Sequence, residues 1–220
     1  MESRPRTIAF EGMAGKIDCA LDWPEKGQDP VGWALVLHPN PAEGGTRDNK
    51  VITTISRACA QYGLLAVRPN FRGIGESEGE FDRGLGETQD MRLLVDQMQV
   101  RFPKITAGTW VLAGFSFGTS VGVQLYGLRA QGGERLPDDV IWAGSAALRF
   151  RHYDGPVPED ALIVHGEEDD VVPIEEVMRW SREHDLPVVV MPNAGHFFHG
   201  KLLILRNLVQ QRLRALLFRS

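Results

Sequence analysis

The sequence has few cysteines, no surplus of basic charge and no long apolar run. Its two cysteines, Cys19 and Cys59, match neither a disulfide framework nor a metal-ligand spacing, so we expect reduced, structural thiols. Lysine and arginine number 24 against 29 aspartates and glutamates, a net charge of −5, which disfavours binding to nucleic acid or anionic lipid. No apolar run approaches the ~20 residues that span a bilayer. We therefore expect neither a nucleic-acid partner nor a membrane span.

Residues 1–12 also lack the apolar stretch and the cleavage site of a secretory signal, so we expect a cytoplasmic location. The composition, with 43% hydrophobic and 24% charged residues, is that of an ordinary globular protein. At roughly 100 to 200 residues per domain, the length of 220 residues predicts a single domain over residues 1–220.

Short apolar segments alternate with helical patterns along the chain. The helical patterns have a 3.6-residue apolar period, and several of these patterns begin or end at a proline or a glycine. This alternation predicts an α/β fold, a mostly parallel sheet with helices on both faces and ligands at the carboxyl ends of the strands. Six segments are typical of strands buried on both faces, and two more of an antiparallel edge hairpin. The six are residues 33–37, 64–67, 110–113, 140–143, 161–164 and 188–191, and the hairpin is 7–10 with 16–21.

Two further segments admit two interpretations each. Residues 155–160 have turn chemistry and directly precede a predicted strand, so we interpret them as a loop and not as a domain linker. Residues 201–219 are basic and amphipathic, with leucines along one side. We expect this helix to dock on the sheet, although such a helix can also contact a membrane.

The pattern Gly-x-Ser-x-Gly, which is typical of a nucleophile elbow, occurs twice. Residues 75–79 place Ser77 in a long glycine-rich loop, between two glutamates whose charge would oppose a developing oxyanion. Residues 114–118 (GFSFG) directly follow an apolar strand and begin an apolar helix, which is the context that the motif requires. We therefore predict Ser116 as a nucleophile and Ser77 as a loop residue.

A nucleophilic serine needs a base, and the base needs an acid that holds its tautomer. Residues 162–173 (LIVHGEEDDVVP) contain a predicted strand followed by a loop rich in carboxylates. We choose Asp169 as the orienting acid, with Asp170 as a near rival. Glu167 and Glu168 are expected to be solvated charges.

His196 is the predicted general base. It lies in a loop of small residues after the last apolar segment, just before the C-terminal helix. His199 is its rival, and we interpret that residue as part of the rim or helix start. The order Ser116, Asp169, His196 is the chain order of an α/β-hydrolase triad, with each residue following a separate predicted strand. Two other histidines are interpreted as structural residues at strand ends, His38 and His165.

A tetrahedral intermediate needs backbone N–H donors. Phe117, which follows the nucleophile, should supply one of them. The second is expected from the loop after the third strand, where residues 38–41 have the sequence His-Pro-Asn-Pro. Because proline has no N–H, Asn40 is the only backbone donor among residues 39–41. Asn40 and Phe117 are therefore the predicted oxyanion hole, with the Asn40 side chain as a further candidate donor.

No nucleotide-binding motif is complete. The glycines at positions 73, 75 and 79 do not have the spacing of a dinucleotide loop. Gly195–Lys201 matches part of a P-loop, but Leu202 stands where a magnesium-binding serine or threonine belongs. The sequence thus predicts no cofactor and no metal.

The segments GFSFG, HGEEDDVVP, AGH and NFRGIGESEG together resemble the α/β-hydrolase superfamily. LHPNPAEGGTRDNK is similar to small bacterial serine hydrolases related to dienelactone hydrolases. Ser116 departs from the cysteine nucleophile of a dienelactone hydrolase proper, and His-Pro departs from the more usual His-Gly. The resemblance implies an esterase-like enzyme without a large lid. The short interval between Ser116 and Asp169 independently leaves no room for a sizeable cap.

These features predict a carboxylic ester hydrolase that acts on a small-molecule ester through an acyl-serine. A thioesterase or small-peptide hydrolase with the same triad is the first alternative. A binding module that uses the pocket without turnover is the second. The intact triad favours an enzyme, since a receptor does not need all three groups.

Overall fold

The structure, a computed structural model, describes residues 4–25 and 27–218. Residues 1–3 of the N-terminal segment and Arg219 of the predicted C-terminal helix lie outside the described residues. The strands are β1 (Thr7–Gly12), β2 (Gly15–Asp22), β3 (Gly32–Leu37), β4 (Leu64–Pro69), β5 (Thr109–Phe115), β6 (Asp139–Ala143), β7 (Leu162–Gly166) and β8 (Val188–Met191). The helices are α1 (Lys50–Gln61), α2 (Leu85–Arg101), α3 (Pro103–Thr106), α4 (Phe117–Gln131), α5 (Ile174–Glu183) and α6 (Leu202–Leu217).

The strands form one sheet in the order β1-β2-β4-β3-β5-β6-β7-β8. β1 and β2 form the predicted antiparallel hairpin, and β2 also pairs antiparallel with β4. β3 to β8 run parallel, so their carboxyl ends meet at one edge of the sheet. Parallel neighbours need crossover connections, and helices supply most of them. The predicted fold class, a mostly parallel sheet covered on both faces, is confirmed.

Two cores lie on the two faces of the sheet, and the alternation of side chains in β3 illustrates both. Trp33, Leu35 and Leu37 belong to a core shared with α2, α4 and α5. Ala34 and Val36 belong to a second core, shared with α1 and α6. Because both faces are covered, the central strands are apolar along most of their length instead of alternating between apolar and polar residues.

β8 differs from the prediction. The sequence predicts a strand buried on both faces at residues 188–191, but Val189 and Val190 are each 39% exposed. In the described part of the chain, β8 is the last strand of the sheet and pairs only with β7. The strand bounds are as predicted, while the burial is not, because the covering helices do not extend over this edge.

The C-terminal helix α6 docks on the sheet, as predicted. Its residues Leu205, Val209 and Leu213 are fully buried in the core that α6 shares with α1. Arg212 fixes the helix further by donating from Nη2 to Oδ1 of the buried Asp139 at 2.7 Å. Among the described residues, no helix is both long enough and apolar enough to cross a membrane.

The two cysteines are buried and free. Cys19 lies in β2, and Cys59 lies in α1. Burial raises the pKa of the Cys59 thiol to about 12 and raises the pKa of Cys19 as well. Both thiols therefore stay protonated at neutral pH and act as small apolar groups.

Helix α4 approaches the sheet closely at two glycines. A Cβ atom at Gly118 would lie 2.2 Å from the carbonyl oxygen of Leu37, at the end of β3. A Cβ atom at Gly122 would lie 2.5 Å from the ring of Trp142. The first contact is with the main chain of a central strand, and the second is with a side chain.

We expect Gly118→Ala to destabilise the fold more than the matched Gly122→Ala. Alanine favours a helix interior over glycine by about 1 kcal/mol, a gain that applies at Gly122 and is smaller at Gly118, the second residue of α4. At Gly122 the added methyl group presses on a side chain, the buried Trp142 ring, whereas at Gly118 it presses on the Leu37 carbonyl, which is held in the sheet. Gly118→Ala should therefore lower the free energy of unfolding by about 3 kcal/mol. Urea unfolding measures the free energy of unfolding of both variants. Equal and small decreases in the two variants would contradict the prediction.

Candidate active site

Ser116 lies at the turn between β5 and α4. Its backbone has φ 54° and ψ −121°, a left-handed conformation that costs a non-glycine residue about 1 to 3 kcal/mol. Hydrogen bonds hold the turn: the N–H of Ser116 donates to Ala143 at 3.0 Å, and its carbonyl accepts from Thr119 N–H at 2.8 Å. The Thr119 hydroxyl donates to the same carbonyl at 2.6 Å. The predicted nucleophile therefore lies directly before the positive end of the α4 dipole.

His196 and Asp169 form a buried pair. The Nδ1 atom of His196 lies 2.7 Å from Oδ2 of Asp169. Because a carboxylate only accepts hydrogen bonds, Nδ1 carries the proton and donates it. The Nε2 atom of the neutral ring is then left to accept a proton.

The second oxygen of Asp169 is held by the main chain. Its Oδ1 accepts from the N–H groups of Val171 at 3.0 Å and Val172 at 2.7 Å. Burial alone would raise the pKa of Asp169, but the hydrogen bonds from His196 and Val172 outweigh it and lower the pKa below its usual value. Asp169 is therefore ionised at neutral pH.

A second histidine lies against the same carboxylate. The fully buried His165 donates from Nε2 to the carbonyl of Val172 at 2.9 Å, and Nε2 is also 3.4 Å from Oδ2 of Asp169. Burial lowers the pKa of His165, although the Val172 carbonyl and Asp169 act in the opposite direction. His165 thus stays neutral while it supports the loop that holds Asp169.

The neighbouring carboxylates and His199 do not take part in this buried pair. Asp170, Glu167 and Glu168 are exposed, and Glu167 accepts from the N–H of Asn193 at 3.0 Å. His199 is exposed and contacts the ring of Phe197. Over residues 4–25 and 27–218, no group of three or more histidine, cysteine, aspartate and glutamate side chains is arranged to hold a metal ion.

The acid–base pair lies beside the serine turn. The ring of His196 is 4.8 Å from the ring of Phe115, which precedes Ser116. Gly144, at φ 51°, fits against both rings: a Cβ atom there would lie 3.0 Å from Phe115 and 3.3 Å from His196. The carboxyl ends of β5, β6, β7 and β8 thus bring the three predicted residues to one edge of the sheet.

A cavity of about 390 Å³ opens beside Ser116 and is also lined by Asn40 and Phe117. Within the described part of the chain, neither the N–H of Asn40 nor that of Phe117 donates to a protein acceptor. The Asn40 side chain accepts from the N–H of Ala42 at 3.1 Å, so its oxygen caps the 3-10 turn at Pro41–Glu43. Two backbone donors are therefore available at the wall of the cavity.

His38 connects the Asn40 loop to the glycine-rich loop after β4. Its Nδ1 donates to the carbonyl of Pro39 at 2.7 Å, and its Nε2 accepts from the N–H of Phe71 at 2.9 Å. Burial lowers the pKa of His38 to about 4, with a smaller contribution from Arg47. The neutral ring is required, because Nε2 can accept only when it carries no proton.

The serine of the other Gly-x-Ser-x-Gly pattern has a different environment. Ser77 accepts from the N–H of Asp18 at 2.9 Å and donates to the carbonyl of Asn70 at 2.8 Å. Ser77 thus joins β2 to the glycine-rich loop, and its hydroxyl is engaged in both directions.

Several residues of the cavity were not identified from the sequence. The segment between β6 and β7 contributes Ala146, Arg149 and Phe150, and no motif in that segment signals such a role. Gln124, which binds this segment, was not identified either, because its burial in α4 is visible only in the structure. The remaining lining residues come from the 3-10 turn and the Asp169 loop, and they are Glu43, Val171 and Val172.

Two features of this structure define the class of α/β hydrolases. A serine lies on a strained turn after a central strand of a mostly parallel sheet, and a paired histidine and aspartate lie at the same edge. No protein-family model matches the chain. An uncharacterized protein of Rickettsia prowazekii is 31% identical over an alignment of 206 residues, and the match covers 88% of this chain and 82% of that protein.

Two solved structures are similar in both sequence and fold. An α/β serine hydrolase without a lid from Xanthomonas campestris is 34% identical, with a TM-score of 0.83 over 94% of this chain and 93% of that one. An α/β serine hydrolase homologue from Coxiella burnetii is 30% identical, with a TM-score of 0.79 over 97% and 99%. The chain belongs to the α/β-hydrolase superfamily, among the small serine hydrolases without a lid. It is an enzyme of the hydrolase kind.

The resemblance to dienelactone hydrolases extends to the fold. A dienelactone hydrolase from Anabaena variabilis is 18% identical, with a TM-score of 0.69 over 94% of this chain and 97% of that one. At this identity the two proteins share the architecture, and the substrate is a separate question.

The pKa of His38 leads to a prediction about stability. Below its ordinary pKa of about 6.5, the unfolded chain protonates residue 38, whereas the folded chain does so only near pH 4. The stability that neutral His38 contributes is therefore complete above pH 6.5 and is lost as the pH falls from 6.5 to 4.

We expect the wild type to lose about 2 kcal/mol more free energy of unfolding than His38→Gln between pH 7 and pH 5. Glutamine can still accept from Phe71 N–H but does not titrate, and other ionisable groups act equally in both proteins. Urea unfolding at the two pH values gives the comparison. Parallel losses in the two proteins would rule out a depressed pKa at His38.

Proposed function

We propose that the protein is a carboxylic ester hydrolase that acts through an acyl intermediate on Ser116. The hydrolase class follows from its family, and the ester specificity and the residue roles are the proposal. The buried hydrogen bond between His196 and Asp169 at 2.7 Å is the observation that carries it, because it leaves Nε2 as the basic ring nitrogen beside a strained serine turn.

In this mechanism His196 takes the proton of Ser116 as the serine oxygen attacks the ester carbonyl. The backbone N–H groups of Asn40 and Phe117 stabilise the oxyanion of the tetrahedral intermediate. His196, whose imidazolium is stabilised by Asp169, returns the proton to the leaving alcohol, and the acyl group stays on Ser116. Water then attacks the acyl-enzyme with His196 as base, which releases the carboxylic acid and restores the serine.

Labelling with a fluorophosphonate tests the activated serine. The wild type should gain one adduct in intact-mass analysis, and Ser116→Ala should gain none and lose about three to six decades of kcat. Ser77→Ala is the matched control, since it alters the other Gly-x-Ser-x-Gly serine and should keep the adduct. An adduct that persists in folded Ser116→Ala would refute the role of Ser116, and a folded wild type without an adduct would favour a binding module.

The two neighbouring aspartates provide a test of the acid. Asp169→Asn should lower kcat by about 10³- to 10⁴-fold, because an amide neither holds the His196 tautomer nor stabilises the imidazolium. Asp170→Asn should keep kcat within about threefold, because that side chain is exposed and away from the pair. Similar losses in both variants, measured on the same oxygen ester, would argue against the assignment. Thioester and amide substrates run beside it separate an esterase from the alternative hydrolases.

A further inference from the structure

One segment forms a large part of the cavity wall. The β6–β7 connection, residues 144–161, contributes Ala146, Arg149 and Phe150 to the lining. It contains no helix and runs in an irregular conformation over α4. Its placement is therefore set by individual hydrogen bonds rather than by regular secondary structure.

Side chains of α4 hold the main chain of the β6–β7 connection. Ser120 donates to the carbonyl of Ala146 at 2.5 Å. The buried Gln124 donates from Nε2 to the carbonyl of Phe150 at 3.0 Å and accepts at Oε1 from the N–H of His152 at 2.7 Å. Gln124 thus binds main-chain groups on both sides of position 151 and determines where Phe150 stands.

Phe150 itself adopts a left-handed backbone conformation, with φ 52°, which is unfavourable for an aromatic residue. Its ring packs edge-on against Phe117, with centroids 5.1 Å apart, and against Phe81 at 6.3 Å. Phe117 follows the nucleophile and packs in turn on Phe71 at 5.4 Å. The ring of Phe150 therefore adds to an aromatic wall directly behind Ser116.

The cavity suits the acyl part of an ester. The leaving alcohol must lie at His196, which protonates it, and His196 is not among the described residues that line the cavity. The acyl group stays on Ser116 and must occupy the remaining space. A volume of about 390 Å³ is at the small end for a ligand pocket.

The charges at the cavity favour an uncharged acyl group. Arg149 lines the wall but is already paired with Glu176, donating from Nε at 2.9 Å and from Nη2 at 2.7 Å. The carboxylate of Glu43 lies at the same cavity and would repel an anionic group. The other side chains that face the space are mainly apolar.

We propose that Phe150 is the residue that limits acyl length, and that the substrates are esters of short, uncharged acyl groups. The proposal rests on the proposed function, because it assigns the cavity to the acyl half of an ester. It makes Phe150 a specificity-determining residue.

The test compares kcat/KM on p-nitrophenyl acetate, butanoate, hexanoate and octanoate. The wild type should favour the short esters. Phe150→Ala should raise the ratio of octanoate to acetate by at least about tenfold, since a few methylenes in an apolar pocket change kcat/KM by this order. Phe150→Gly should do the same and also suits the left-handed backbone, which keeps the connection in place. The p-nitrophenyl hemisuccinate should be a poorer substrate than the butanoate.

Leu148→Ala is the matched control, since Leu148 lies in the same connection, packs on the core and does not line the cavity. It should keep the wild-type ratio. Any of three results would overturn the proposal. The octanoate-to-acetate ratio could stay unchanged in both Phe150 variants, the wild type could prefer octanoate to acetate, or the wild type could prefer the hemisuccinate to the butanoate. A second series keeps the butanoate acyl group and lengthens the alcohol. An effect of the Phe150 variants that appears only in this series would also overturn the proposal.

Fluorophosphonate labelling of every protein separates the two possible failures. If the wild type takes the label and hydrolyses short esters while the Phe150 variants keep its ratio, the acyl assignment alone fails. If the folded wild type takes no label and hydrolyses no ester, the proposed function fails together with it.

Discussion

The close contact between the start of α4 and the end of β3 determines the arrangement of the site. A Cβ atom at Gly118 would lie 2.2 Å from the Leu37 carbonyl, and one at Gly114 would lie 2.7 Å from the main chain of Gly118. Only glycines permit this approach, and it places the N–H of Phe117 near the loop that carries Asn40. The strained backbone of Ser116 is a consequence of the same approach, because the chain must turn at once from strand to helix.

Most of the parallel sheet and the three predicted site residues could be inferred from local patterns. Buried strands are nearly continuous apolar segments, and Ser116, Asp169 and His196 each follow such a segment within a few residues. The carboxyl ends of parallel strands meet at one edge, so chain order was enough to predict that these residues lie close together. Their identity as a working triad is a prediction that rests on chemistry and not on the fold.

The remaining features depend on contacts between distant segments. The exposure of β8 follows from its place at the edge of the sheet, which its own valines do not reveal. The helix α3 follows α2 at Pro103, because proline ends one helix and also fits the first position of the next. Hydrogen bonds such as those from Phe71 N–H to His38 and from Asp18 N–H to Ser77 join segments that no periodicity relates. The contribution of residues 144–161 to the cavity could not be predicted, because this irregular segment carries no motif and its position depends on contacts with α4.

The hydrogen bonds from α4 to the β6–β7 connection end on main-chain carbonyl and N–H groups. Every amino acid except proline carries both groups, so the attachment does not depend on which side chain stands at position 146, 150 or 152. A substitution at position 146 or 150 alters the wall of the cavity, while Ser120 and Gln124 still hold the main chain of the segment. Single codon changes at Arg149 and Phe150 can therefore change the shape of the pocket in this enzyme, whereas Gly144 and the buried Ala147 of the same connection are fixed by their packing.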